Sequence, residues 1–174
     1  MILSGNEIKK EIENGGIEIL PYNESRVNPN SYNLSLHNEL IEYDDDILDM
    51  KTPNKTHKVI IPEEGYLIKP GKLYLGRTVE YTKTDLYAPM LEGRSSIGRL
   101  GISVHSTAGF GDIGFAGTWT LEISCIQPVK IYPNTQVCQI CYHNVQGDTT
   151  MQYRGKYFKQ EAATASNMFK DFEV

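Results

Sequence analysis

A chain of 174 residues, 40% of them apolar, is long enough to bury one sizeable core and gives no compositional reason for a second domain. Its formal charge of −5 speaks against a phosphate-backbone binder, because nucleic-acid affinity rests on clustered Lys and Arg that release counterions. Three cysteines and no apolar run of membrane-spanning length point to reduced thiols in a soluble chain, so neither membrane nor nucleic acid is expected as a partner.

The N-terminus Met1-Ile2-Leu3-Ser4-Gly5 has no basic segment leading into an apolar one, which predicts a cytoplasmic protein. Ser4 followed by Glu7 is a capping box, and Ile8 and Ile12 at helical spacing before Gly15-Gly16 predict one short amphipathic helix. The runs Ile17–Leu20, Val59–Ile61, Tyr66–Ile68, Leu73–Thr78 and Val129–Tyr132 are rich in Ile, Val, Tyr, Leu and Thr and read as strands. Asp44–Asp46 with Lys51–His57 has little apolar content and contains Pro53-Asn54, which marks a surface excursion. Pro62, Pro70-Gly71, Pro89, Gly114, Gly117, Pro128 and Pro133-Asn134 punctuate the chain at a spacing of roughly 8–12 residues, as in an antiparallel sandwich or barrel. A single, mainly β domain over residues 1–174 follows. From Gln146 to Val174 the chain is polar with scattered aromatics and reads either as an ordered flap or as a frayed end.

Three constellations could carry chemistry. Glu92-Gly93-Arg94-Ser95-Ser96-Ile97-Gly98-Arg99-Leu100 sets two guanidinium groups and two hydroxyls among glycines, a mixture suited to a polyphosphate or equally to a solvated turn. Thr107–Gly117 is so rich in glycine that its backbone can approach a ligand closely. Its Asp112 can accept a sugar hydroxyl beside Phe115, or cap its own hairpin. In Thr118–Ile123, strand alternation puts Trp119, Leu121 and Ile123 on one face and Thr118, Thr120 and Glu122 on the other, where a glutamate is usually just solvated.

His37-Asn38-Glu39 followed by Cys138-Gln139-Ile140-Cys141 imitates the H-x-E and C-x-x-C signature of zinc deaminases. The imitation fails on two counts. Val137, not proline, precedes Cys138, and both segments read as strands, on which residues three apart face opposite ways. The thiols are expected to be small buried hydrophobes, and no zinc is expected.

The run Glu92–Gly101, then His105-Ser106-Thr107-Ala108-Gly109-Phe110, Gly114-Phe115 and Thr120-Leu121-Glu122 resembles the dCTP deaminase family of the dUTPase-like superfamily. The likeness extends to Met1–Ser4, Asn28–Leu36, Pro70-Gly71, Gly155-Lys156-Tyr157 and Gln160, in family order along nearly the whole chain. It implies a distorted, jelly-roll-like β-barrel with one short N-terminal helix, a homotrimer with active sites shared between subunits, and residues 146–174 as a C-terminal lid.

Carried onto matching positions, the resemblance makes Glu122 the general acid/base for a water attacking C4 of cytosine, with Ser95 and Arg99 holding that water. It makes Arg94 and Ser96 triphosphate contacts within the loop that includes Ile97 and Gly98. Asp112 becomes the acceptor of the 3′-hydroxyl and Phe115 the wall against deoxyribose, while the backbone of Thr120, Leu121 and Glu122 reads the base. Gln139, Tyr153, Lys156 and Gln160 match positions that close over the nucleotide, Lys156 as a cation for the phosphates. Magnesium is expected with the triphosphate, without a dedicated protein ligand, and dTTP as a feedback inhibitor.

One group of the family releases dUTP and another continues in the same site to dUMP and diphosphate. Gly109-Phe110 after Ala108 resembles the second, where the first typically has histidine. Gly111, Ile113 and Asn33 depart from the residues usual at their positions. A deaminase that stops at dUTP, a plain dUTPase and a non-catalytic nucleotide-sensing trimer are the alternative readings.

Overall fold

The computed structural model describes residues 1–173. Helix α1 (Gly5–Glu13) forms where the capping box predicts it, with Ser4 Oγ accepting the Glu7 N–H at 3.2 Å and Ile8 fully buried. The Glu7 carboxylate turns along the helix to Lys10 rather than back to Ser4.

Eleven short strands follow: β1 (Glu18–Leu20), β2 (Val27–Asn28), β3 (Ser31–Tyr43), β4 (Thr56–Ile60), β5 (Tyr66–Ile68), β6 (Tyr74–Lys83), β7 (Tyr87–Gly93), β8 (Ile102–Ser103), β9 (Ala116–Cys125), β10 (Val129–Ile131) and β11 (Gln136–Asn144). Nine of them make one antiparallel sheet in the order β7, β11, β3, β6, β9, β8, with β1 on β6 and both β2 and β4 on β3, while β5 and β10 pair separately. His57, assigned by composition to the polar excursion, is already in β4, and residues 44–55 are the connection of the β3–β4 hairpin.

After β8 the chain crosses to the far end of the sheet. The Leu91 N–H donates to Gly109 O at 2.6 Å and the Gly111 N–H to Pro89 O at 2.8 Å, so residues 109–111 line the free edge of β7 and nearly close the sheet into a barrel. Inside, alternate residues of the strands make one core that joins Tyr32, Leu34 and Leu36 of β3 to Leu91, Trp119, Leu121, Ile123 and Ile140. Among the described residues no helix is long and apolar enough to cross a membrane.

Asn33 has a local reason. Its Nδ2 donates to Gln136 Oε1 at 2.9 Å while its Oδ1 accepts from Asn28 Nδ2 at 2.8 Å, two roles that an ionised aspartate cannot combine.

Glu80, with 0% exposure, sits where β6 bulges against β9; its carboxylate holds Arg26 on one oxygen and the Ser35 N–H at 2.8 Å on the other. A buried carboxylate stripped of its cation is costly, so Arg26→Met is expected to lower the unfolding free energy by about 3–5 kcal/mol in urea denaturation. A loss below about 1 kcal/mol would show that Glu80 does not depend on this partner.

Candidate active site

A cavity of about 520 Å³ opens on the outer face of β6 and β9, within the range of small-ligand sites. Strand alternation supplies its floor: Glu122 and Thr120 face outward from β9, while Trp119, Leu121 and Ile123 go to the core as expected. Leu75 lies opposite Glu122 in the register with β6 and lines the same cavity, so the carboxylate stands beside apolar surface. Among the described residues it has no hydrogen-bond or ion-pair partner, which leaves both oxygens for a ligand or a water.

The neighbouring backbone is equally unengaged. Gln160 takes both the Thr118 N–H (2.9 Å, to its carbonyl) and the Thr118 carbonyl (2.8 Å, from its Nε2), whereas the Trp119 N–H turns to Thr78 Oγ1 of β6. By alternation the N–H and C=O of Thr120 and Glu122 also point away from β6. β8 pairs only with Ser124 and Cys125, so beside Glu122 the edge of β9 offers donors and acceptors to a flat ligand.

The Gly-rich segment forms one wall. Phe115 is buried against Trp119 at 4.6 Å between ring centroids and faces Tyr153 at 6.0 Å, and Trp119 is fixed by its Nε1–H donating to Thr82 Oγ1 at 2.8 Å. The Asp112 carboxylate lines the cavity and does not cap its own turn, since it accepts no hydrogen bond among the described residues.

The glycines around Phe110 have a packing cause. A Cβ on Gly109 would stand 2.4 Å from Leu91 O and 2.5 Å from the His105 ring, and one on Gly111 would stand 2.4 Å from Trp119. Gly109 therefore lets this strand lie close on β7, and it is the 69%-exposed Phe110, not Gly109, that lines the cavity. At Gly111 a β-branched side chain would collide with the ring that supports Phe115.

The C-terminal segment roofs the site instead of fraying. The Tyr153 N–H donates to Ile113 O at 2.8 Å and the Lys159 N–H to Ala116 O at 2.8 Å, bringing Tyr153, Tyr157 and Gln160 over the opening. Lys156 is present in this segment but paired with Asp171, and it does not line the cavity.

The Arg-Ser run lies elsewhere. Ser95–Gly98 is a one-turn helix, α2, where the residue pattern suggested a loop; Arg94 takes the N-cap position and its guanidinium donates to Gln136 O at 3.0 Å. Ser95, Ser96 and Arg99 are exposed. Ile97 and Leu100 line an apolar cavity of about 190 Å³ together with Ile123, which faces opposite to Glu122 on β9. Gln139 lines neither cavity; it is in register with Glu92 at the end of β7 and accepts from Ser31 Oγ at 2.9 Å. Within one chain, then, Asp112, Phe115, Thr120, Glu122, Tyr153 and Gln160 meet, while Arg94–Arg99, Gln139 and Lys156 do not join them, and the Leu121 side chain is core.

Tyr43, Tyr157, Thr164 and Ser166 also line the cavity and escape sequence reasoning. Tyr43 is the last residue of β3 before three aspartates, a position that looks like a solvated strand end.

The cysteine pattern does not build a metal site. Cys138 Sγ faces Leu34 O at 3.9 Å and Cys141 Sγ faces Met90 O at 3.5 Å on the opposite neighbouring strand, and burial pushes both thiols up, away from the thiolate that zinc needs. His37 is engaged by Arg77, NH2 to Nε2 at 2.7 Å. Among the described residues no cluster of three or more His, Cys, Asp or Glu could hold a metal ion.

A family model described as dCTP deaminase-like matches residues 2–145. The chain is 62% identical over 173 residues to the "dCTP deaminase, dUMP-forming" of Clostridium botulinum (strain Eklund 17B / Type B), covering 99% of both chains. It is 58% identical to the protein of the same name from Hathewaya histolytica, covering 99% of this chain and 100% of that one. The fold is similar to the crystal structure of 2′-deoxycytidine 5′-triphosphate deaminase from Agrobacterium tumefaciens, with a TM-score of 0.63 at 20% identity over 83% of this chain and 48% of that one, so this chain spans about half its length. A family model over residues 2–145 and curated relatives that match 99% of the chain leave one conclusion: the chain belongs to the dCTP deaminase-like family.

Proposed function

We propose that the chain hydrolyses dCTP to dUMP, ammonia and diphosphate in one site, with Glu122 moving the protons of the deamination. The observation that carries this reading is the unpartnered Glu122 carboxylate beside the open edge of β9, above Leu75 and under a wall of Phe115 and Asp112. A cytosine laid on that edge exchanges hydrogen bonds with the backbone of Thr120 and Glu122, while Phe115 packs against the deoxyribose and Asp112 accepts its 3′-hydroxyl.

Glu122 takes a proton from water as oxygen bonds to C4; the water's two protons end on N3 and on the amine, and the C4–N bond breaks to release ammonia. A second water then attacks the α-phosphorus and diphosphate leaves. The triphosphate arrives with magnesium on its own oxygens, a hard cation that needs no protein ligand set. No step uses zinc.

The phosphate contacts come from a second copy of the chain. Arg94 and Ser96 carry guanidinium and hydroxyl donors suited to phosphate, and Ser95 and Arg99 the donors that hold the attacking water, yet Ile97 anchors their helix to the opposite face of β9 from Glu122. A homotrimer in which each copy lends this helix, with Gln139, to its neighbour completes the site. Lys156 joins the phosphates when it leaves Asp171, and the C-terminal segment is the lid. dTTP, with the same sugar and triphosphate, fits the pocket as an inhibitor, and free thiols suit a reducing cytoplasm.

Incubation with dCTP and Mg²⁺ followed by product separation tests the reading. Ammonia, dUMP and diphosphate in equal amounts are expected. Accumulation of dUTP alone would overturn the second step, and turnover of dUTP without dCTP would overturn the first.

A further inference from the structure

From Thr164 to Asn167, three backbone N–H groups of the C-terminal segment are caught by side-chain hydroxyls: Thr164 by Thr120 Oγ1 at 3.2 Å, Ser166 by Tyr43 OH at 3.0 Å, and Asn167 by Tyr157 OH at 3.0 Å. Tyr157 belongs to the segment itself, so Thr120 and Tyr43 are what tie this stretch to the barrel. Thr120 shares its strand face with Glu122, and Tyr43 ends β3 on another wall of the same cavity. The chain between them therefore crosses the mouth of the site, with Thr164 and Ser166 lining it.

Beyond Thr164 the Tyr43 hydroxyl is the one hydrogen bond from the barrel to the segment among the described residues; an exposed contact of Lys51 with the Phe172 ring at 5.5 Å is the other tether. Nearer the root the ties are more numerous: backbone bonds at Ile113, Ala116 and Thr118, and side-chain bonds such as Gln160 Nε2 to the Thr118 carbonyl. Among the described residues, the far half of the roof thus makes its one hydrogen bond to the barrel through a phenolic oxygen.

We propose that Tyr43 is a positioning residue that keeps the C-terminal segment shut between deamination and phosphate cleavage, and so sets how much dUTP escapes before it is cut. This rests on the two-step function proposed above. A deaminated nucleotide has two fates, hydrolysis or departure, and departure requires the segment to lift. Removing one neutral hydrogen bond shifts such an opening equilibrium by roughly two- to tenfold without changing the groups that face C4 or the α-phosphorus.

The test is the ratio of free dUTP to dUMP made from excess dCTP and Mg²⁺, a ratio that does not depend on the overall rate. Tyr43→Phe keeps the ring and deletes the acceptor, and the dUTP fraction is expected to rise roughly two- to tenfold. Ser166→Pro deletes the donor and should produce the same rise, and the double variant should go no further than either alone. Cleavage of the segment by a protease in the presence of nucleotide should quicken in parallel. A dUTP fraction unchanged from the wild type in Tyr43→Phe, with dUMP still forming, would overturn the role of Tyr43 alone. A wild type that releases only dUTP would overturn the two-step function and this role with it.

Discussion

Glu122→Gln is expected to bind dCTP within about threefold of the wild type and to lose deamination by roughly a hundred- to ten-thousandfold, the range of a positioned acid/base. The amide preserves the shape and the outward rotamer at a place where the carboxylate has no protein partner to lose, so neither the fold nor the strand edge should change. What it cannot do is accept a proton from water and pass it on. In the proposed pose the base meets Thr120 and Glu122 through backbone groups, which the substitution leaves in place, so the variant would isolate proton transfer from binding. Ammonia release under saturating dCTP, set beside a direct binding isotherm, separates the two effects. Turnover within tenfold of the wild type would remove Glu122 from the chemistry, and a loss of binding equal to the loss of rate would make it a ligand contact only.

Strand alternation puts Glu122 on the outer face, because Trp119, Leu121 and Ile123 claim the core, and only the likeness to the family gives it a role. Sequence reasoning reaches helix α1 through Ser4 and Glu7, and the strand texture through β-branched and aromatic runs. Its failures share a cause. Arg94–Arg99 looks like a flexible loop because glycine and serine dominate it, yet a half-buried Ile97 packs on the core and, with Leu100, lines the apolar cavity beside Ile123 as the segment winds into a turn of helix. Gly109 and Gly111 look like freedom for a ligand, and the structure shows them as the only residue small enough to pass Leu91 O and the Trp119 ring. Tyr43 is invisible because its partner, the Ser166 N–H, is 123 residues away and a backbone group has no sequence signature. Each miss is a long-range contact, which local pattern does not encode. The likeness to a family implies a role for the Arg-Ser run and a site shared between subunits; the structure adds that one chain holds that run across β9 from Glu122.

That separation yields the second large effect. Arg99→Ala and Glu122→Gln are each expected to be nearly inactive as pure proteins, since in the proposed mechanism one lacks the cation that holds the water and the other the group that deprotonates it. Refolded together in equal amounts, they should recover activity. If each site takes Glu122 from one copy and Arg99 from the next around a closed ring, random mixing leaves both groups intact in roughly a quarter of the sites. Ile97 packs beside Ile123 on one face of β9 while Glu122 faces the other, a constraint that a change of side-chain rotamer cannot relieve. Activity near a quarter of the wild type would show that neighbouring copies share the site. Activity that stays at the level of the parent variants, in assemblies proven by mass to be mixed, would mean that each chain completes its own site. In that case α2 would have to leave its apolar seat against Ile123 to reach the water, and packing of that kind resists displacement because every contact it makes is lost at once.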